Sequence, residues 1–171
     1  MKKNERMEAW LGIWDTDTHS PLPAEYRAFF ACFNRGEYYE AHDVLEHLWL
    51  RCHDSNRSFY QALIQFAGAF VHLQKHCLFP GHPTHSRRLA PARRLFALAA
   101  ERLGAYPERH LALNLGGMLA LGAHWSALAG QGPSPLAVHP PPRLCLESDS
   151  ETAGFSFAVL SGSSLPDAPP S

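Results

Sequence analysis

The chain has 171 residues with 15 basic and 16 acidic side chains, so its formal net charge at pH 7 is −1. Hydrophobic residues make up 46% of it, a globular composition that supports one domain with a core plus extensions. This charge balance argues against nucleic-acid binding, which needs a clearly basic domain or face. No apolar run approaches the roughly 18 residues of a membrane span.

The four cysteines are widely spaced and form no CxxC pair, so they indicate neither a zinc ribbon nor a redox motif. The first residues are too charged, and their apolar run too short, for a secretory signal. We therefore expect a cytoplasmic protein with reduced thiols. We expect no nucleic-acid partner and no membrane, and the composition is compatible with a homo-oligomer.

Composition divides the chain into three parts. Residues 1–22 form an N-terminal extension that ends in a loop, and residues 23–125 carry helical periodicity. Residues 126–171 are rich in Pro, Ser and Gly, which predicts a disordered or loosely attached tail.

Two helices are predicted at the start of the domain. The first begins near Pro23, carries an aromatic stripe and ends at Gly36, a residue suited to the position after a helix C-terminus. The stripe consists of Tyr26, Phe29, Phe30 and Phe33. The second helix covers about 37–53 and is stopped by an Asp-Ser-Asn sequence.

The third predicted helix, about 58–76, is apolar almost all round, which is typical of the centre of a bundle. One stripe on it is polar and includes a glycine. Its members are Gln61, Gln65, Gly68, His72 and His76. Because glycine costs up to about 1 kcal/mol in a helix, Gly68 indicates close approach by another element. We expect this stripe to face the polar face of the second helix.

A fourth helix is predicted at about 84–103, with Pro91 kinking or restarting it, and a weaker one at about 108–121. The fourth carries five arginines, which we interpret as a solvated face, with anion binding as the minority interpretation. They are Arg87, Arg88, Arg93, Arg94 and Arg102. The predicted fold is an all-α, compact bundle of four to five helices.

The second helix carries the chemistry that most needs an explanation. His42, Glu46 and Trp49 recur at i, i+4 and i+7, so they point the same way. A buried carboxylate is costly unless it is hydrogen-bonded, paired or bound to a metal. One hypothesis is an open divalent-metal site (Zn, Fe or Mn) with His42 and Glu46 as ligands. His72 and Gln65 are the candidates to complete it.

Two other hypotheses stay open. In the first, Glu46 and His42 perform metal-free acid–base chemistry, although no motif places a nucleophile beside them. In the second, His42, Glu46 and Gln65 form a structural polar network of a non-catalytic scaffold or interaction module. Trp49 and Gln61 are expected to support the site in either case. No catalytic residue can be assigned.

The sequence from Phe33 to Trp49, followed by the segment 59–67, resembles the domain-of-unknown-function family 309. The shared features are a His-x-x-x-Glu-x-x-Trp motif and a following segment that ends in Leu-Ile-Gln, where Ala62 replaces the usual glycine. The resemblance covers about 25–103. It implies a small all-helical domain whose motif histidine and glutamate bind a metal. If the protein is an enzyme, metal-assisted hydrolysis is the expected reaction class, since a metal-bound water needs no protein nucleophile.

Overall fold

A computed structural model of the protein describes residues 11–12 and 19–147. Residues 19–147 form six α-helices, a 3-10 turn and a two-stranded hairpin. The helices are α1 (Ala24–Asn34), α2 (Tyr38–Arg51), α3 (Arg57–Leu78), α4 (Leu89–Leu103), α5 (Leu115–Leu128) and α6 (Pro135–Val138). The 3-10 turn is His85–Arg87, and the antiparallel strands are β1 (Arg109–His110) and β2 (Leu113–Asn114). The predicted all-α fold class is confirmed.

The link between α1 and α2 follows from Gly36. Its φ of +77° lies in the left-handed region, which a glycine adopts without steric cost. The Glu37 N–H donates to the Cys32 carbonyl and the Gly36 N–H to the Phe33 carbonyl, both at 3.0 Å. This pair of bonds is the Schellman motif, which satisfies the last carbonyls of α1 and turns the chain into α2.

Helix α3 lies at the centre, packed against α2 on one side and α4 on the other. The Phe70 ring is fully buried and joins four other helices. Its centroid lies 5.0 Å from Phe33 of α1, 5.1 Å from Tyr38 of α2, 5.5 Å from Phe96 of α4 and 5.1 Å from Trp125 of α5. Aromatic pairs at such distances stabilise beyond the area they bury.

Helix α4 begins at Leu89, so Pro91 lies in its first turn. The first N–H groups of a helix have no intrahelical partner, so proline costs no hydrogen bond there and the helix continues past Pro91. The helix predicted at 84–103 therefore begins only at Leu89, and His85–Arg87 before it form the 3-10 turn. None of the helices in the described part of the chain is long and apolar enough to cross a bilayer.

The predicted helix at 108–121 is wrong in its first half. The chain instead forms the β1–β2 hairpin, whose two turn residues, Leu111 and Ala112, have φ values of +47° and +61°. Two consecutive left-handed residues are typical of a tight hairpin turn. Such turns are usually predicted from Gly or Asn, and neither residue is present at these two positions. Helix α5 starts after Asn114, whose side chain caps it by accepting from the Gly117 N–H at 2.8 Å.

The first part of the predicted tail packs against the domain. Helix α5 runs past residue 126, and the buried Ser134 hydroxyl donates to the Leu73 carbonyl of α3 at 3.2 Å. Asn34 exchanges two hydrogen bonds of 2.7 Å with the backbone of Leu144. Segments as far along the chain as Leu144 therefore contact the helices, and the predicted domain limit at residue 125 stays a prediction. Residues 148–171, and residues 1–10 and 13–18 of the predicted extension, lie outside the described residues.

Candidate metal centre

Three polar side chains of α2 come together on one face of the helix. Ligand atoms of His42, Asp43 and Glu46 all lie within 4.8 Å of one another. His42 and Glu46 are one helical turn apart, and Asp43 is three residues before Glu46, so all three project over one patch of surface. The helix alone therefore supplies an imidazole and two carboxylates to one point.

The cluster is recessed but reachable by water. The His42 side chain is 32% exposed and that of Asp43 is 19% exposed. His42 Nδ1 lies 3.3 Å from Asp43 Oδ1, and the exposed Tyr39 ring stacks near the imidazole at a centroid distance of 6.4 Å. This is an open arrangement, unlike a sealed core network.

Gly68 of α3 lies next to the His42 ring. A Cβ added at Gly68 would lie 3.9 Å from His42 Cδ2 and 3.3 Å from Leu95 Cδ1 of α4. The glycine thus lets side chains from both neighbouring helices lie against the α3 backbone. Gly68 is thus the member of the predicted stripe that lies beside His42, and the expectation that the whole stripe faces His42 and Glu46 stays a prediction.

Two other members of the stripe form hydrogen bonds with arginines. One of these arginines lies on α4, and the other immediately precedes α4. Arg102 Nε donates to Gln65 Oε1 at 3.1 Å, and Arg88 Nη1 donates to His72 Nδ1 at 3.3 Å. Burial, together with the nearby positive charges of Arg88, Lys75 and Arg94, lowers the pKa of His72 and so favours its neutral imidazole. The structure therefore does not bring Gln65 or His72 into hydrogen-bond contact with His42 or Glu46.

The two predicted supporting residues differ in their surroundings. Trp49 is half-buried at the end of α2, with the Arg57 guanidinium 4.2 Å from its ring centroid. Its buried indole Nε1 has no hydrogen-bond partner among residues 11–12 and 19–147. Gln61 is half-buried on α3. A supporting role for either residue stays a prediction.

The opposite face of α2 holds a separate ion pair. Arg51 donates a short hydrogen bond to the Glu25 carboxylate of α1, and His47 Nδ1 lies 3.5 Å from the same oxygen. Glu25 is only 8% exposed, and a carboxylate at that depth needs such a cation. We interpret this group as a structural clamp between α1 and α2.

Asp43 is the member of this cluster that was not predicted from the sequence. The sequence does contain an indication of its role, because aspartate is unfavourable in a helix interior. This aspartate also lies beside His42 and three residues before Glu46. The His-x-x-x-Glu spacing drew attention to the i, i+4 pair alone. The geometry places a carboxylate oxygen of Asp43 within 4.8 Å of donor atoms of both residues.

Residues 26–78 match the model of a family described as Domain of unknown function (DUF309). This segment of the chain is similar to DUF309. The matched segment runs from α1 to the end of α3, so it includes His42, Asp43 and Glu46 as well as Gly68, which lies next to His42. The DUF309 segment is shorter than the predicted resemblance over 25–103. No curated protein and no solved structure matches the chain.

Proposed function

We propose that the protein is a metal-binding helical domain in which His42 and Glu46 are ligands and Asp43 is the third. The convergence of one imidazole and two carboxylates within 4.8 Å carries the proposal. With a neutral imidazole, two ionised carboxylates balance the charge of a divalent ion. Nitrogen and oxygen donors of this kind suit Zn²⁺, Fe²⁺ or Mn²⁺.

The spacing of the donor atoms fits an ion. Metal–ligand bonds of about 2.0–2.2 Å place neighbouring ligand atoms roughly 3.3–3.6 Å apart in a tetrahedral site. The distance of 3.3 Å between His42 Nδ1 and Asp43 Oδ1 already meets that requirement. A carboxylate oxygen of Glu46 lies within 4.8 Å of both atoms, so the three donor groups surround one point.

Three protein ligands from one helix leave coordination positions on the solvent side. A bound ion of this kind activates water for hydrolysis, so the site needs no protein nucleophile. The protein's own contribution is to hold His42 against Gly68 and to keep two negative charges together beside it. Metal-assisted hydrolysis is therefore the reaction class that we propose.

The second candidate function is a non-catalytic scaffold. It is favoured by the way in which Arg102 and Arg88 bond to the polar stripe of α3, since hydrogen bonds between α3 and the α4 region fix helix register. In that case His42 and Glu46 serve only the fold, and the protein holds no stoichiometric metal.

Elemental analysis separates the two. The full chain, purified without chelator, is compared with His42→Ala, Asp43→Asn and Glu46→Gln. Exposed residues give matched controls, namely His53→Ala and Glu101→Gln. The proposal expects about one ion per chain in the parent and both controls, and loss of metal in each site variant. Equal metal content in all six proteins, or none in any, would rule out these ligands.

We also propose a cytoplasmic location. All four cysteines are free thiols, two of them buried, and no disulfide is part of the fold among residues 19–147. A protein that keeps free thiols suits a reducing compartment.

A further inference from the structure

We propose that a cationic cluster between the end of α3 and the start of α4 binds a phosphate-like oxyanion. The cluster consists of His72 and Lys75 on α3, His85 in the 3-10 turn, Arg88 just before α4, and Arg94 on α4. The inference is independent of the metal centre, because it uses none of the three proposed ligands.

Arg88 organises the cluster. Its Nη1 donates to His72 Nδ1 at 3.3 Å and its Nη2 donates to His85 Nδ1 at 3.2 Å. Arginine only donates, so both Nδ1 atoms are acceptors and both imidazoles carry their proton on Nε2. The guanidinium is thus fixed in place by two neutral rings, and each ring offers a further N–H donor.

No acidic side chain neutralises this arginine. Residues 55–100 contain six Lys or Arg and four His but no Asp or Glu. Within the described part of the chain, Arg88 has no carboxylate partner. The charges acting on the neighbouring His72 come from three cations, Arg88, Lys75 and Arg94. A half-buried guanidinium that has no carboxylate partner and shares its neighbour His72 with two other cations is unfavourable until an anion joins it.

The unused donors point to an oxyanion. Arg88 Nε is buried and has no hydrogen-bond partner among residues 11–12 and 19–147. Two of the five guanidinium N–H groups are engaged with the histidines, so three remain, in addition to the Nε2–H groups of His72 and His85. Charge-assisted bonds from such a planar fork suit phosphate oxygens.

A phosphate fits better than a metal ion or a carboxylate. The two imidazole lone pairs are already occupied by Arg88, and the positive charges repel a metal cation. Three cations can balance two negative charges, whereas a monocarboxylate supplies only one. The uncapped N-terminus of α4 adds partial positive charge on the same side.

The test is calorimetric titration of the full chain with inorganic phosphate in a chloride buffer near pH 7.5. We expect saturable 1:1 binding. Arg88→Gln weakens it by about tenfold or more, as expected for loss of hydrogen bonds between charged groups. Arg87→Gln removes the same charge from the exposed neighbouring residue and weakens it by less than about twofold, because exposed charges are screened.

A second variant guards against misfolding of Arg88→Gln. Lys75→Gln removes one cation of the cluster while the hydrogen bonds of Arg88 to both histidines stay intact, and should weaken binding by about threefold. Histidine side-chain NMR gives the location, because the His72 and His85 signals should shift on phosphate addition and those of exposed His53 should not. Absence of saturable binding, equal weakening by Arg87→Gln and Arg88→Gln, or full affinity in Lys75→Gln overturns the proposal.

Discussion

Gly68 lies where α2, α3 and α4 meet, and its replacement by alanine tests how that junction is packed. The new methyl group would lie 3.3 Å from Leu95 Cδ1, which is the end of a flexible, half-buried side chain. A shift of a few tenths of an ångström in that methyl group relieves the contact. The contact with His42 Cδ2, at 3.9 Å, is already ordinary.

The expected result is a small gain in stability. Alanine is favoured over glycine by about 0.8–1.0 kcal/mol in a helix interior, and the movement of Leu95 costs only part of that. We therefore expect Gly68→Ala to raise the free energy of unfolding by about 0.5 kcal/mol. The midpoint of thermal unfolding should rise by one or two degrees, since about 1 kcal/mol corresponds to 2–4 °C at this size.

Gly122 of α5 is the matched control. A Cβ there meets Phe66 Cε2 at the same 3.3 Å, and Phe96 Cδ1 at 3.8 Å. Both rings are buried in the aromatic core and have no room to move, so overpacking should cost about 1–3 kcal/mol and outweigh the helix gain. Urea denaturation of both variants measures the difference. A loss of 1 kcal/mol or more in Gly68→Ala would contradict the account of a yielding Leu95.

The remaining predictions concern the C-terminal segment and pH. Asn34→Ala removes both hydrogen bonds to Leu144 and should lower the free energy of unfolding by about 1–3 kcal/mol, as measured by urea denaturation. Proteolysis after residue 138 should become faster in this variant. Resistance to proteolysis equal to that of the wild type would show that other contacts hold the segment. Burial lowers the pKa of His72 and of His110, so below about pH 6.5 the unfolded chain binds these protons more readily than the folded one. Stability should therefore fall between pH 7.5 and 5.5, and the fall should be smaller in a variant with both histidines changed to Gln; an equal fall in that variant would assign the pH dependence to other groups.

The central helices were predictable because local signals agree with the tertiary structure. Gly36 ends α1, the Asp-Ser-Asn sequence separates α2 from α3, and the apolar surround of α3 places it at the centre. The β1–β2 hairpin was not predictable, because its left-handed turn residues are Leu111 and Ala112. Tertiary contacts impose a backbone conformation there that these residue types do not favour.

The candidate site was predictable only where the proposed ligands share one helix. His42 and Glu46 follow from helical spacing, and Gly68 correctly indicated where α2 approaches α3. The hydrogen-bond partners of Gln65 and His72 were not predicted. An arginine-rich helix face has the same sequence pattern whether its side chains are solvated or bonded to a neighbouring helix. Its long side chains reach back across the α3–α4 interface, and spacing along one chain segment does not encode that choice.

Paramagnetic Mn²⁺ added to the isotope-labelled full chain tests the central claim most directly, because manganese broadens NMR signals near the bound ion. The account predicts that one equivalent broadens the signals of His42, Asp43 and Glu46 first, and that Glu46→Gln abolishes this at the same concentration. Broadening centred on the Glu25–Arg51 face of α2, on His82 and His85, or uniformly across the surface would contradict a metal centre at this cluster.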